Sequence, residues 1–165
     1  MKDIDIYKLC IEMAELSPCQ KRGFGTVLVF PNGNFTSSYN RPISPAKHLC
    51  DPKCIRFSIE SGADSMIGAC GHSEELAIWG ATNKIRNVQG SKLYVAGVVK
   101  PENEPLIKSD ATFYCLRCAT LMHYAQIAGV NVWSNDKWNY LTTNEAYQTS
   151  LQYAQRKITL SRNNA

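Results

Sequence analysis

Apolar residues at Ile6, Leu9, Cys10, Met13 and Leu16 recur at three- and four-residue intervals and stop at Ser17-Pro18, which predicts an amphipathic helix over about residues 3–16. Two β-rich runs follow, Phe24 to Phe30 and Phe35 to Tyr39, on either side of Pro31-Asn32-Gly33-Asn34; an Asn-Gly between such runs predicts a hairpin. Residues 41–71 show neither period and are punctuated by Pro42, Pro45, Cys50, Pro52, Cys54 and Cys70. So long an irregular segment inside a domain is usually functional or tied down by something. From His72 the positions Leu76, Ala77, Trp79, Gly80 and Ala81 predict a helix ending near Ile85, and Lys92 to Val99 reads as a buried strand. A polar stretch with Pro101 and Pro105 contains a short strand at Leu106-Ile107. A helix from about Cys115 to Ala128 stopped by Gly129, a strand Val130 to Trp133 and a helix from Asn144 to about Lys157 complete the pattern. Strands alternating with helices in the second half imply an α/β fold, with right-handed crossovers and a mixed sheet carrying helices on its faces.

The 165 residues are one domain's worth of chain, 1–165, with no internal repeat. A hydrophobic fraction of 44% and a charged fraction of 19% exclude a disordered body. No run of 18 apolar residues exists, and Asp3 and Asp5 stand where a signal peptide needs basic and then apolar residues, so a soluble, cytoplasmic protein is expected, away from membranes. The net charge of +4 is scattered, with no basic block of the kind that tracks a nucleic-acid backbone. Seven cysteines are an odd count for a complete disulfide framework, and in a reducing compartment clustered cysteines read first as metal ligands.

Two clusters carry candidate chemistry: Cys70-Gly71-His72-Ser73-Glu74-Glu75 and Tyr114-Cys115-Leu116-Arg117-Cys118, each at a predicted helix start. One His and a Cys-x-x-Cys pair form the three-ligand set of a catalytic zinc, and helix N-termini favour thiolates. Glu74, two residues past His72, can face the water in the fourth position as general base. A lone Cys-x-x-Cys is as often a structural half-site or a redox pair; His72 and Glu74 tip the reading toward catalysis. Glu75 reads as a first-turn acid complementing the helix dipole, Cys10 as a small core residue and His123 as a structural histidine. Trp133, Trp138, Tyr140 and Tyr147 suit packing as well as stacking on a base, and packing is the preferred reading.

His-x-Glu followed by Cys-x-x-Cys is the signature of the zinc-dependent nucleobase deaminases, and from the first helix to about Trp133 the chain resembles that superfamily. Within it the chain is most similar to the deoxycytidylate deaminases, through Cys19-Gln20-Lys21-Arg22-Gly23-Phe24-Gly25, Tyr39-Asn40, Cys50-Asp51-Pro52-Lys53-Cys54-Ile55-Arg56 and Cys70-Gly71-His72. The chain has Tyr114, Ser38, Arg41 and Leu76 where the family usually has proline, glycine, glycine and asparagine. The resemblance implies a three-layer cytidine-deaminase-like fold, one catalytic zinc on His72, Cys115 and Cys118, and hydrolysis of the exocyclic amine of a cytosine nucleotide. It also implies Asn40 on the sugar, Arg22 with Lys21 or Arg56 on a phosphate, and a homo-oligomer. The interval from Tyr94 to Cys115 is long for the family and suggests an inserted hairpin or lid. Two alternatives stay open: a free base, nucleoside or nucleic-acid base as substrate, or a zinc-stabilised binding module without turnover.

The cysteines that catalysis leaves over suggest a second, structural zinc on Cys19, Cys50, Cys54 and Cys70, since such sites use closed thiolate and imidazole shells. The rivals are His48 in place of one of the four, and no metal at all, with the thiols packed as small hydrophobes.

Overall fold

The computed structural model describes residues 3–58, 70–84, 87–106, 113 and 115–163. Helix α1 (Asp3–Glu15) buries Ile6, Cys10 and Ala14, a stripe repeating every four residues. It lies across β1 (Arg22–Val29), which pairs antiparallel with β2 (Phe35–Tyr39) in the expected hairpin, from Gly25 opposite Tyr39 to Val29 opposite Phe35. Two tiny strands, β3 (Arg41–Pro42) and β4 (Cys70–Gly71), pair at the two ends of the long irregular segment, which otherwise contains 3₁₀ turns at Ser44–Cys50 and Ile55–Ser58. Residues 59–69 lie outside the described part. Helix α2 (Ser73–Thr82) leads to β5 (Lys92–Val99), then come β6 (Glu104–Pro105), α3 (Leu116–Tyr124), β7 (Gly129–Ser134), β8 (Lys137–Thr142) and α4 (Thr143–Asn163).

The main sheet runs β2-β1-β5-β7-β8, with β6 paired to the end of β5. Only β5 and β7 are parallel among these pairs, so the sheet is mixed. Alternation along β1 feeds two cores on opposite faces. Leu28 joins Ala77 and Ile78 of α2, Cys118 and Met122 of α3, Leu93 and Val130; Val27 joins Ile6 and Cys10 of α1 and Ala96. Helices on both faces make the three layers that the sequence implies. Among the described residues no helix is long and apolar enough to cross a membrane.

α1 approaches β1 so closely because two strand positions lack a side chain. A Cβ on Gly25 would stand 1.9 Å from the Cys10 carbonyl oxygen, and one on Gly23 would stand 2.1 Å from that of Ala14. Backbone cannot yield as a side-chain tip can, so Gly25→Ala is expected to cost about 3 kcal/mol, the upper end of ordinary overpacking. In a chain of this size that lowers the thermal midpoint by roughly 6–12 °C. An unchanged melting curve would show that α1 lifts off β1 without penalty.

The structure departs from the pattern reading in five places. The helix expected to run to Ala128 stops at Tyr124, because Gln126 takes a left-handed φ of 55° and the Ile127 N–H reaches back to the Met122 carbonyl, a closure usually built on glycine. Gly129 instead begins β7. The short strand sits at Glu104–Pro105 rather than 106–107, opposite Val98 and Val99. The pattern predicts no strand between Trp133 and the last helix; Asn135 and Asp136, with φ of 51° and 56°, turn the chain back into β8 so that Trp138 faces Trp133. Helix α4 starts at Thr143, one residue early, and runs to Asn163, well past the expected Lys157. Its start is fixed by Thr142 and Glu145, which exchange side-chain and backbone hydrogen bonds at 2.8 and 3.2 Å. The helix expected to end near Ile85 ends at Thr82, with Asn83 as its C-cap, and of the interval from Tyr94 to Cys115, expected to hold a hairpin or lid, residues 107–112 and 114 lie outside the described residues.

Candidate active site

The starts of α2 and α3 converge. His72 directly precedes α2 with extended backbone (φ −73°, ψ 152°), and Cys115 directly precedes α3 (φ −89°, ψ 95°), with Cys118 in that helix's first turn. His72 Nδ1 lies 3.1 Å from Cys115 Sγ and 3.3 Å from Cys118 Sγ, and the two sulfurs are 3.0 Å apart. Among the described residues this is the one group of three or more potential ligands whose donor atoms all fall within 4.8 Å of one another. The Cys118 N–H donates to Cys115 Sγ at 3.4 Å, so the sulfur also caps the helix.

The electrostatics favour a cation. Cys115 is brought down to about 4, first by its hydrogen bond from the Cys118 thiol and then by His72, against the effect of burial. Burial pushes Cys118 up, so the pair holds one proton, with the negative charge on Cys115. Burial also opposes charge on the His72 imidazole, but the bond and charge of Cys115 outweigh it and its pKa rises. The donor set fits zinc: one imidazole nitrogen and two sulfurs, with a fourth position left for solvent. Bond lengths of about 2.0–2.1 and 2.3 Å give tetrahedral edges of roughly 3.6–3.8 Å, so the observed trio would open by about 0.3–0.5 Å between the imidazole and the sulfurs and by about 0.8 Å between the two sulfurs.

Glu74 is in the first turn of α2 and only 7% exposed. Thr26, from the middle of β1, donates to Ser73 Oγ at 2.8 Å, and Ser73 donates to Glu74 Oε2 at 3.0 Å. Both hydroxyl residues are fully buried, so a relay from the sheet holds one carboxylate oxygen in place. Burial pushes the Glu74 carboxyl up while the neighbouring His72 opposes the shift, a setting that suits a group which must take and return protons. Sequence reasoning missed this relay; the hydroxyl inside His-Ser-Glu was its only local sign.

The pairing of Arg41 with Gly71 brings Asn40 to the register position beside His72. Asn40 Oδ1 accepts the Phe24 N–H at 2.7 Å and Nδ2 donates to the Arg22 carbonyl at 3.1 Å, which uses half of the amide's four hydrogen-bonding positions. Arg22 is exposed at the start of β1, and the adjacent Lys21 donates to the Arg56 carbonyl at 3.1 Å. Lys21 and Arg22 are thus chain neighbours, and Lys21 meets Arg56 through that residue's backbone carbonyl.

The remaining candidate ligands form a second neighbourhood. Cys50 is hydrogen-bonded to both Cys54 and Cys70, and all the described cysteines are free thiols. Cys70 is pushed up to about 11, first by burial and then by Cys50, Cys19 and Cys54, but no three of these four bring their sulfurs within 4.8 Å of one another as the triad's donors are. Gln20 clips this region together, a role its sequence did not disclose. Its Nε2 donates to the carbonyls of Cys50 and Pro52 at 2.9 and 3.1 Å, and its Oε1 accepts the Cys54 N–H at 2.9 Å. Cys10 is buried in the α1 core, as expected of a small core residue, whereas His123 is exposed, its ring beside those of Tyr124 and Tyr147. Trp133 and Trp138 pack with Tyr7, and Trp138 with Tyr94, again favouring packing over base stacking.

No protein-family model matches the chain, and no curated protein matches its sequence. Solved structures do match in shape. A cytidine deaminase from Burkholderia pseudomallei superposes with a TM-score of 0.56 at 14% identity, over 88% of this chain and 96% of that one. The dCMP deaminase of cyanophage S-TIM5 in apo form superposes with a TM-score of 0.53 at 14% identity, over 93% and 95% of the two chains. The fold is that of the cytidine deaminases. In this deaminase fold, built from a sequence with so little identity to its neighbours, the ends of α2 and α3 bear the His72, Cys115 and Cys118 cluster.

Proposed function

We propose that the chain is a zinc-dependent hydrolytic deaminase that converts a cytosine nucleotide of the dCMP type into the uracil nucleotide and ammonia. The observation that carries this reading is the meeting of His72 Nδ1 with the sulfurs of Cys115 and Cys118 at 3.1 and 3.3 Å, one turn from the buried Glu74 carboxylate. His72, Cys115 and Cys118 would hold the zinc. The metal supplies water activation, lowering the pKa of a coordinated water from about 15.7 toward 7. Glu74 would accept one proton from the attacking water and give it to the ring nitrogen, then accept the second from the hydroxyl now on the ring carbon and give it to the departing amine, so that two protons are taken and two returned. Thr26 and Ser73 keep its carboxylate aimed through both transfers.

Asn40 is the sugar contact in this reading, with its remaining amide hydrogen and lone pair, and Arg22 with Lys21 engages a 5′-phosphate through charge-assisted hydrogen bonds. A cytidine deaminase and a dCMP deaminase both share the fold, so the competing substrate is the nucleoside. Incubating zinc-loaded protein with cytosine, cytidine, deoxycytidine, dCMP and a cytosine-containing oligonucleotide, and following ammonia, tests the reading. A homo-oligomer in the cytoplasm belongs to the same reading, and light scattering tests the assembly.

A second zinc on Cys19, Cys50, Cys54 and Cys70 is part of this reading, supported by the thiol contacts of Cys50 and by the Gln20 clip that gathers its loop. Its role would be structural, pinning the loop that follows β3 to β4 and so to His72. Protein purified without chelator is expected to carry about two zinc ions per chain, and Cys54→Ser to carry one and to melt at a lower temperature. A single zinc in the unaltered protein rules the second site out.

A further inference from the structure

Arg117 sits between the two sulfur ligands in sequence, and its guanidinium faces away from its own helix toward the other half of the site. Nε lies 2.6 Å from Glu75 Oε1 and Nη2 lies 2.7 Å from Oε2, a two-pronged ion pair. The same Oε2 accepts the backbone N–H of His72 at 2.9 Å, and Nη2 also donates to the Cys70 carbonyl at 3.1 Å. One guanidinium thus grips the chain two residues before His72 and three residues after it, while its own backbone carries Cys115 and Cys118.

An ordinary half-exposed ion pair is worth little, and at 46% and 17% side-chain exposure this one contributes little to folding by itself. A helix-capping acid alone would leave Arg117 without a reason to be an arginine. What sets the pair apart is where its four bonds go: three run from Arg117, between the sulfurs, to the segment bearing the imidazole, and the fourth fixes Glu75 to the His72 backbone within that segment. Lysine at 117 could keep the charge but could not hold both carboxylate oxygens and the Cys70 carbonyl in one plane.

We propose that Glu75 and Arg117 are positioning residues that set the separation of His72 from Cys115 and Cys118, and so govern how tightly the triad retains zinc. The pair touches neither metal nor substrate and acts only through the ligands. The proposal rests on the reading of the triad as a zinc site. Outer groups that orient metal ligands are typically worth 10- to 100-fold in metal affinity.

The test is zinc competition against a chromophoric chelator on the full-length chain, with the triad's step identified as the one lost in Cys118→Ala. Arg117→Ala and Glu75→Gln are each expected to weaken that step about 10- to 100-fold, Arg117→Lys nearly as much as Arg117→Ala, and the Arg117→Ala/Glu75→Gln double variant no more than the worse single one. The visible absorption bands of cobalt bound at the triad should shift in all four, as ligand geometry loosens. If Arg117→Ala fails to fold, Glu75→Gln and Arg117→Lys, which keep size or charge, decide the matter. Affinities within twofold of the unaltered protein, full rescue by lysine, or losses that simply add in the double variant overturn the positioning role while leaving the zinc site intact. A chain in which no zinc step is lost in Cys118→Ala overturns the proposed function and this inference together.

Discussion

Glu74→Gln is expected to retain zinc, fold and melting temperature while losing at least 100-fold and up to about 10,000-fold in turnover, the range of a general acid-base contribution. The amide matches the carboxylate in shape and can still accept the Ser73 hydroxyl that now bonds Oε2. It cannot take a proton from water. Because one carboxylate would carry both of the water's protons in turn, the first to the ring nitrogen and the second to the leaving amine, the loss should fall on kcat rather than on KM. Zinc content measured alongside the rate separates this from damage to the site. A variant that keeps more than about a tenth of the unaltered rate removes Glu74 as the base.

The second large effect belongs to the ligands. Cys118→Ala should abolish turnover and release the triad's zinc, since two donors cannot make the three-ligand shell that catalytic zinc uses. His72→Ala and Cys115→Ala should behave alike. Cys118 is fully buried in the core with Ala119 and Met122, so its loss also leaves a small cavity, and a modest fall in melting temperature accompanies the metal loss. His72 is not part of that core, so its variant isolates the metal effect. Stoichiometric zinc in the triad of any of the three would remove that residue from the coordination shell.

The residues of the triad were legible because metal chemistry constrains local spacing: His72 with Glu74, and Cys115 with Cys118, are each contained in a few residues at a helix start. The same holds for α1 and the β1–β2 hairpin, whose periods are long enough to read and whose Asn32-Gly33 turn is explicit, with Gly33 at φ 82°. Strand β8 was missed although Asn135-Asp136 marked its turn. Its two aromatic residues, Trp138 and Tyr140, lie two positions apart on one face, and so short a pair looks alike whether it packs in a strand or stands exposed. The end of α3 was misplaced because Gln126 does what glycine usually does. Thr26, Gln20, and Glu75 with Arg117 were hidden for another reason. Each acts on partners 30 or more residues away, through one to three hydrogen bonds that leave no period in the sequence.

Substrate choice is the point where the fold stops deciding and side chains begin. Neighbouring structures with this fold include a cytidine deaminase and a dCMP deaminase, and the proposed phosphate seam rests on Arg22, exposed at the start of β1, with Lys21 beside it. The decisive measurement is the initial rate of ammonia release from dCMP and from deoxycytidine by the same zinc-loaded preparation, with Glu74→Gln as the blank. Rapid release that vanishes in the blank, with kcat/KM higher for dCMP than for deoxycytidine, is the expected result; equal values would contradict the phosphate seam, and no ammonia from either or from any other cytosine compound would contradict the deaminase itself.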